Sequence, residues 1–377
     1  MKVALIHDHL AQDGGAEKVL QVFAGMFKEA PIYTLLYDKH KQDQYYQDRQ
    51  IEVSVIQKLP GGVRHYQWYL PLMPLAVEFY DLSPYDLVLS DTSSFAKGVI
   101  TKPETLHICY CHTPTRFLWS DAHQYLNELK YNKWLKKIIS LALSRIRLWD
   151  RLAADRVDLF IANSKTVQAR IKKYYRRESV VIYPPVETDK FEISYQADRA
   201  ASEKYFLAGC RLAPYKRIDL IIEAFKELGP DYRLRIFGDG VDLKRLKKLA
   251  RGRENIEFLG RVTEEEKIKL FAQAEAFINP QEEDFGITVV ESMAAGRPVI
   301  ALAAGGALET VVAGKTGLFF TKQTAASLAE AIRGFKASDF DPVEIRAWAE
   351  KFSVANFTQQ IRDFINKHYS QPPSRLT

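Results

Sequence analysis

Short unbroken apolar runs recur along the first half of the chain, each bounded by polar or turn-forming residues. They are KVALIHD (2–8), DLVLSD (86–91), LHICYCH (106–112) and DLFIANS (158–164). Runs of this kind read as strands buried on both faces, as parallel sheets require. Gly14 and Gly15 follow the first run and precede the amphipathic stretch AEKVLQVFAGMF, while VVIYPPV (180–186) stops the series at Pro184 and Pro185. The second half begins the pattern afresh. YFLAGC (205–210), YRLRIFGDG, NIEFLG, AFINP (276–280), PVIAL (298–302) and GLFF (317–320) predict strands. RIDLIIEAFKEL (217–228), VDLKRLKKLA and TEEEKIKLFAQA predict helices, the last opened by Thr263 with Glu266 three residues on.

Alternating strand and helix signals imply parallel sheets with helices on both faces. Two such series predict two doubly wound α/β domains, 1–184 and 185–377, facing a central cleft. The amphipathic segment NFTQQIRDFINKHY (356–369) predicts a last helix able to return to the N-terminal domain, before a polar, disordered tail. Ligands of doubly wound sheets bind beyond the carboxyl ends of the strands, so the chemistry is expected on loops leaving strands. KLPGGVRHYQWYLPLMPLAVEFYDLSPYD (58–86) is rich in aromatics and prolines and lacks clean periodicity. It reads either as an irregular loop packed on its domain or as a mobile insertion touching lipid or acceptor.

Composition narrows the class. A chain of 377 residues is too long for one ordinary core, and 47% hydrophobic with 27% charged residues is a globular balance. No stretch approaches the roughly 20 apolar residues of a membrane span. MKVALIHDHL runs straight into a strand without the features of a secretion signal, so a cytoplasmic location is expected. Cys109, Cys111 and Cys210 form no disulfide framework or metal pair and read as reduced cysteines. The formal net charge is +6, and basic residues concentrate in 130–156, where Lys130, Lys133, Lys136, Lys137, Arg145, Arg147, Arg151 and Arg156 face only Asp150 and Asp155. Trp134, Leu135, Ile138, Ile139, Leu141 and Leu148 interleave at helical spacing. The stretch is either a helix that lies on an anionic membrane or carries an anionic ligand, or a surface helix with a solvated basic face whose apolar stripe faces the core. The charge accompanies no nucleic-acid-binding motif, so no nucleic-acid partner is expected.

EEDFGITVVESMAAGRPVIA (282–301) carries the strongest chemical signal. It follows the predicted strand AFINP and opens a helix near Ile287, with Glu283 before the helix and Glu291 inside it. Free amides at a helix start form an anion site, and Gly286 permits close approach. Carboxylates beside such a site would repel a lone phosphate but accept hydrogen bonds from a diol. A site for both phosphate and diols suits a sugar nucleotide. Arg211 and Lys216 in GCRLAPYKRIDLIIEAF (209–225) lie on the loop leaving the first strand of the second domain. Two fixed cations there stabilise the negative charge that grows on a departing diphosphate.

These segments resemble the retaining glycosyltransferases of family 4, which have the two-Rossmann-domain GT-B fold. The likeness is carried by Glu283 and Glu291 separated by seven residues, Phe285-Gly286-Ile287 between them, and Gly296-Arg297-Pro298 after them. The resemblance implies that Glu283 and the run Phe285 to Thr288 hold the donor sugar and phosphate, and that Glu291 holds the ribose hydroxyls. It implies diphosphate contacts for Arg211 and Lys216, a loop facing the donor phosphate at Gly14 and Gly15, and nucleotide-base contacts near Arg261 and Val262. His112, at the end of LHICYCH, takes the place of a family histidine at the donor sugar and reacting centre, and Arg116 is a candidate for an acceptor anion. CHTPTRFLW together with Gly14-Gly15-Ala16-Glu17-Lys18 is similar to the WbaZ-like branch, bacterial mannosyltransferases that build O-antigen or exopolysaccharide repeats from GDP-mannose.

The expectation is a retaining, metal-independent hexosyltransferase that moves mannose from GDP-mannose to a lipid-linked glycan at the inner membrane face, with no cofactor. A UDP-sugar donor, a nucleotide-sugar epimerase and a non-catalytic nucleotide-sugar binding module are the alternatives. Gly238 and Gly240 lack the third glycine of a dinucleotide fingerprint, which argues against an oxidoreductase.

Overall fold

The computed structural model describes residues 1–11, 14–129, 131–193 and 204–369; Lys130 of the basic stretch and the tail after Tyr369 lie outside the described residues. The chain divides into two compact units, Met1–Tyr183 joined by the chain from Thr358 onward, and Pro184–Phe357.

In the first unit β1 (Val3–His7), β2 (Ile32–Thr34), β3 (Ile51–Val53), β4 (Leu87–Thr92), β5 (Leu106–Cys111), β6 (Leu159–Ala162) and β7 (Ser179–Val181) form a parallel sheet. Their order is β3-β2-β1-β4-β5-β6-β7, so the winding reverses between β1 and β4. Every residue of β1, β4 and β5 is buried, which explains the unbroken apolar runs. Helix Gly15–Met26 covers β1 and β4 with Val19, Leu20 and Phe23 fully buried; each such side chain contributes roughly 1.5–3 kcal/mol. Two departures from the sequence reading concern strands. Ser179–Val181 forms an edge strand before the two prolines rather than ending the pattern, and β2 and β3 are three-residue strands without a sequence signal of their own.

Segment 58–86 is not a plain irregular loop. It contains a 3₁₀ turn at Tyr66–Leu72 and a helical turn at Met73–Glu78. Met73, Ala76, Val77 and Leu82 are buried in the core, while Trp68 and Phe79 remain exposed.

The basic stretch forms helix Lys133–Ala153, capped by the Asn132 side chain accepting from the Leu135 amide at 2.9 Å. Its buried face is Leu143, Ile146, Asp150 and Ala153. Asp150 accepts hydrogen bonds from Lys97 Nζ (2.5 Å), Thr115 (2.8 Å), Trp119 Nε1 (2.7 Å) and Tyr175 (2.9 Å), which ties the helix to the loop after β5. Trp134, Ile138, Leu141, Leu148 and Leu152 form an apolar stripe on the opposite side and are exposed. The core-facing reading therefore fails for Trp134, Leu135, Ile138, Leu141 and Leu148, which are exposed, and holds for Ile139, which packs against the core.

The second unit is built alike. β8 (Phe206–Gly209), β9 (Leu234–Phe237), β10 (Ile256–Gly260), β11 (Phe277–Asn279), β12 (Val299–Leu302) and β13 (Gly317–Phe320) form a parallel sheet in the order β10-β9-β8-β11-β12-β13. Its winding reverses between β8 and β11. Helix Ile218–Leu228 buries Ile218, Leu220, Ile221, Ile222, Ala224 and Phe225, and the predicted capping box at Thr263 and Glu266 opens helix Glu264–Gln273. In each unit the reversal point is the crevice where doubly wound sheets take ligands.

Candidate active site

In the second unit the residues at the reversal point come from the loops leaving β8 and β11. Arg211 follows β8, and Lys216 ends a 3₁₀ turn at Pro214–Lys216 just before helix Ile218–Leu228. The Arg211 guanidinium donates to the Tyr215 hydroxyl at 2.8 Å, and the residue is exposed. Lys216 Nζ pairs with Glu283 Oε1, and Gln281 Nε2 donates to the same oxygen at 2.9 Å. Burial would lower the Lys216 pKa, but the charge and hydrogen bond of Glu283 outweigh it and hold the ammonium protonated. Burial also pushes the Cys210 thiol up to about 12, which keeps this neighbour uncharged.

Glu283 sits in a tightly built turn. Its carbonyl accepts from the Gly306 amide at 2.8 Å. A Cβ on Gly305 would stand 2.4 Å from that carbonyl, and one on Gly306 would stand 2.5 Å from Phe285 Cα. Only glycines let the two loops close to this distance. Gly286 caps helix Ile287–Ala294 at φ +94°, a left-handed conformation that favours glycine. The amides at the start of this helix, including Ile287 and Thr288, have no acceptor within the helix itself. Glu291 lies within the helix and is buried, with Lys267 Nζ at 3.0 Å from its Oε1; Lys267 also reaches Glu264. The two motif glutamates are thus each matched by a lysine, and Lys267 and Gln281 are members of the cluster that sequence reasoning missed. Arg261 and Val262 follow β10; the Arg261 side chain is 86% exposed, with Asp239 3.6 Å away. Gly238 serves packing, since a Cβ there would lie 1.9 Å from the Cys210 carbonyl oxygen.

In the first unit Gly14 precedes helix Gly15–Met26 beside β1. Sheet register places His7 of β1 beside Asp91 of β4. Asp91 is fully buried and accepts from two histidines: His7 Nδ1 at 2.8 Å on Oδ2, and His112 Nε2 at 2.5 Å on Oδ1. Glu17, also buried, lies 3.9 Å from His7 Nε2. Burial works against charge on both His7 and Asp91. For His7 it is outweighed by Asp91 and Glu17, which lift the imidazole to about 10. For Asp91 it is outweighed by His112 and His7, which hold the carboxyl below its usual range. Asp8 accepts from the amides of Ser93, Phe95 and Ala96, each at 2.7 Å, and so fixes the turn after β4. His112 was visible in the sequence, whereas His7, Asp91 and Glu17 were not singled out. The available signal was a polar residue ending an otherwise apolar parallel strand. Arg116, on the loop after β5, pairs with Asp121 at 2.9 Å.

Cys109 and Cys111 are buried in β5 as free thiols. Among the described residues no group of three or more His, Cys, Asp and Glu is arranged to hold a metal ion, and no helix is long and apolar enough to cross a membrane.

Comparison with known proteins bears on the same residues. The sequence matches the family described as Glycosyltransferase Family 4 over residues 13–190 and that described as Glycosyl transferases group 1 over residues 189–351. It is 26% identical over 346 residues to the alpha-1,3/1,6-mannosyltransferase ALG2 of Dictyostelium discoideum, covering 78% of this chain and 79% of that protein. A GDP-mannose-dependent alpha-(1-6)-phosphatidylinositol monomannoside mannosyltransferase of Mycolicibacterium smegmatis is 31% identical over 201 residues, 45% of this chain and 53% of its own. Anabaena HepE, solved in complex with UDP, superposes with a TM-score of 0.73 over 97% of this chain and 100% of its own, at 21% identity, a likeness of fold alone.

Proposed function

Since the chain belongs to glycosyltransferase family 4, we propose that it transfers mannose from GDP-mannose, with retention and without a bound metal ion, to a lipid-linked glycan. The observation that carries the reading is the cluster at the β8/β11 reversal, where Lys216, Glu283, the start of helix Ile287–Ala294 and Glu291 come from one crevice edge. Mannosyl transfer is supported by the relatives named above, one of them GDP-mannose-dependent.

The chemistry follows from these groups. The diphosphate lies against the helix start and draws Lys216 away from Glu283, so that Lys216 and Arg211 meet the charge that develops on the leaving oxygen. Glu283, freed of its lysine, accepts hydrogen bonds from the sugar hydroxyls, and Glu291 accepts from the ribose diol. The bond from the anomeric carbon to the phosphate oxygen breaks while the acceptor oxygen bonds to that carbon on the same face. The acceptor proton passes to the departing phosphate oxygen. His112 contacts the sugar, Arg116 an acceptor anion, and Gly14 and Gly15 let the backbone approach the ligand. Arg261 and Val262 flank the base.

A lipid-linked acceptor is supported by helix Lys133–Ala153. Its exposed stripe of Trp134, Ile138, Leu141, Leu148 and Leu152 runs beside exposed Lys133, Lys137 and Arg145, a pairing that suits the surface of an anionic membrane.

Thermal unfolding in EDTA with GDP, UDP, ADP and their sugar conjugates tests the donor. A ligand at about 100 times its Kd adds roughly 2.7 kcal/mol to the folded state. Selective stabilisation by GDP and GDP-mannose is expected. Stabilisation by UDP-sugars alone would replace the donor, and stabilisation that needs a divalent ion would remove the metal-independent mechanism.

A further inference from the structure

Glu17, His7, Asp91 and His112 form a row at the β1/β4 reversal of the first sheet, and the fold commits three of its four side chains to complete burial. Their side-chain exposures are 2%, 3%, 0% and 12% in that order, so only His112 reaches the surface. An ionised carboxylate only accepts hydrogen bonds. The 2.8 Å and 2.5 Å contacts to Asp91 therefore require a proton on His7 Nδ1 and a proton on His112 Nε2.

The two histidines differ in what else surrounds them. His7 lies between two carboxylates, Asp91 from β4 and Glu17 from the following helix, so a second proton on Nε2 turns its other contact into an attraction as well. Asp8 lies nearby but is engaged by backbone amides, and burial keeps neighbouring His9 uncharged. His112 has one carboxylate, already shared with a cationic imidazole, and the edge of the Tyr110 ring at 5.3 Å. With Nε2 committed to Asp91, Nδ1 is the ring nitrogen left for a ligand.

We propose that Asp91 is a positioning residue that fixes His112 as the Nε2–H tautomer, so that His112 meets a sugar hydroxyl as a hydrogen-bond acceptor through Nδ1, with His7 and Glu17 supplying the charge balance. The substrate part rests on the glycosyl-transfer reading; the tautomer part does not. A histidine that accepts, rather than donates, selects a hydroxyl and orients its proton. It turns away a ligand group that itself can only accept, such as a carboxylate or phosphate oxygen. Such second partners commonly set which ring nitrogen carries the proton.

The test is side-chain ¹⁵N NMR of the full chain with labelled histidine, recorded from pH 6 to 9 without ligand. Expected are one imidazole protonated on both nitrogens across the range, assigned to His7 by its loss in His7→Gln, and one whose neutral form carries its proton on Nε2, assigned by His112→Gln. The Nδ1–H tautomer for neutral His112, or an imidazolium across the whole range, would overturn the proposal, and this measurement on the unaltered protein needs no variant to fold. Asp91→Asn should mix the His112 tautomers and lower the rate of GDP release from GDP-mannose on the order of 10²-fold, with KM within about twofold. An Asp91→Asn protein that retains the pure tautomer would also overturn it. If the tautomers behave as expected but GDP-mannose neither binds nor turns over, the donor reading fails and the positioning role of Asp91 stands.

Discussion

The two units repeat one architecture, a parallel sheet whose winding reverses at a crevice, yet they place charge there in opposite ways. In the first unit the charges are sealed. Asp91 and His7 have almost no exposed surface, and their pair joins residues locked into adjacent strands. In the second unit the leading pair is open. Lys216 and Glu283 are 17% and 15% exposed, one at the end of a short turn and one on a loop, and Arg211 is exposed. A pair fixed between strands cannot exchange partners without unfolding its surroundings, whereas a pair between loops can trade its partner for a ligand. The first arrangement suits orientation and the second suits binding and release of a charged substrate. Glu291 and Lys267 lie between the extremes, buried but joining two helices.

The contrast can be broken most forcefully at Asp91. Asp91→Ala leaves the His7 charge buried without its main partner, and removing one member of a buried pair costs about 3–5 kcal/mol. Urea unfolding should show that loss, while Glu283→Ala, which leaves a part-buried lysine on a segment that can reach solvent, should cost clearly less. A comparable loss from both would erase the distinction drawn between the units.

Glu283→Ala should act on turnover instead. A contact realised mainly at the reacting sugar is worth on the order of 10²–10³ in kcat. GDP affinity should remain, because Lys216 is released to the diphosphate; calorimetry and initial rates on one preparation would separate the two. Equal losses in both would contradict the sugar contact assigned to Glu283. For Glu291→Ala the order reverses, with GDP affinity falling roughly tenfold and kcat at saturating donor changing little, as expected for one charged hydrogen bond to the ribose.

A smaller effect sharpens the comparison through pH. His7 has its folded pKa raised from 6.5 to about 10. Its contribution is fully present below pH 6.5 and is lost as pH rises towards 10, since the folded state then holds a proton that the unfolded chain releases. The stability difference between the unaltered protein and His7→Gln should therefore shrink from pH 6 to pH 9. A difference that stays constant would mean His7 is not held as an imidazolium. Weakest of all, the double variant Trp134→Glu, Ile138→Glu should reduce cosedimentation with phosphatidylserine vesicles several-fold at low salt without moving Tm by more than a few degrees. Unchanged vesicle binding would detach the exposed stripe from the membrane.

What could be read without coordinates follows the range of the forces involved. β1, β4, β5, β6 and β8 were legible because a strand buried on both faces is apolar along most of its length. β2 and β3, at three residues each, are too short to show a period, and β7 hides in the approach to two prolines. For helix Lys133–Ala153 the periodicity was plain but not which side faces the core, since both sides carry apolar residues. Glu283, Gly286 and Glu291 were legible because one turn and one helix hold them together. The partners of Asp91 are 84 and 21 residues distant, and Lys267 is 24 residues from Glu291. Only the folded sheet and helix packing bring those together.

The proposed retaining, metal-independent mannosyl transfer is tested most directly by an assay with labelled GDP-mannose, membrane lipid-linked glycans and excess EDTA, followed by NMR of the product linkage. Expected is mannose joined through an α-linkage, the configuration of the donor, at a rate unaffected by EDTA. A β-linked product, transfer abolished by EDTA, or transfer only from a UDP-sugar would contradict it.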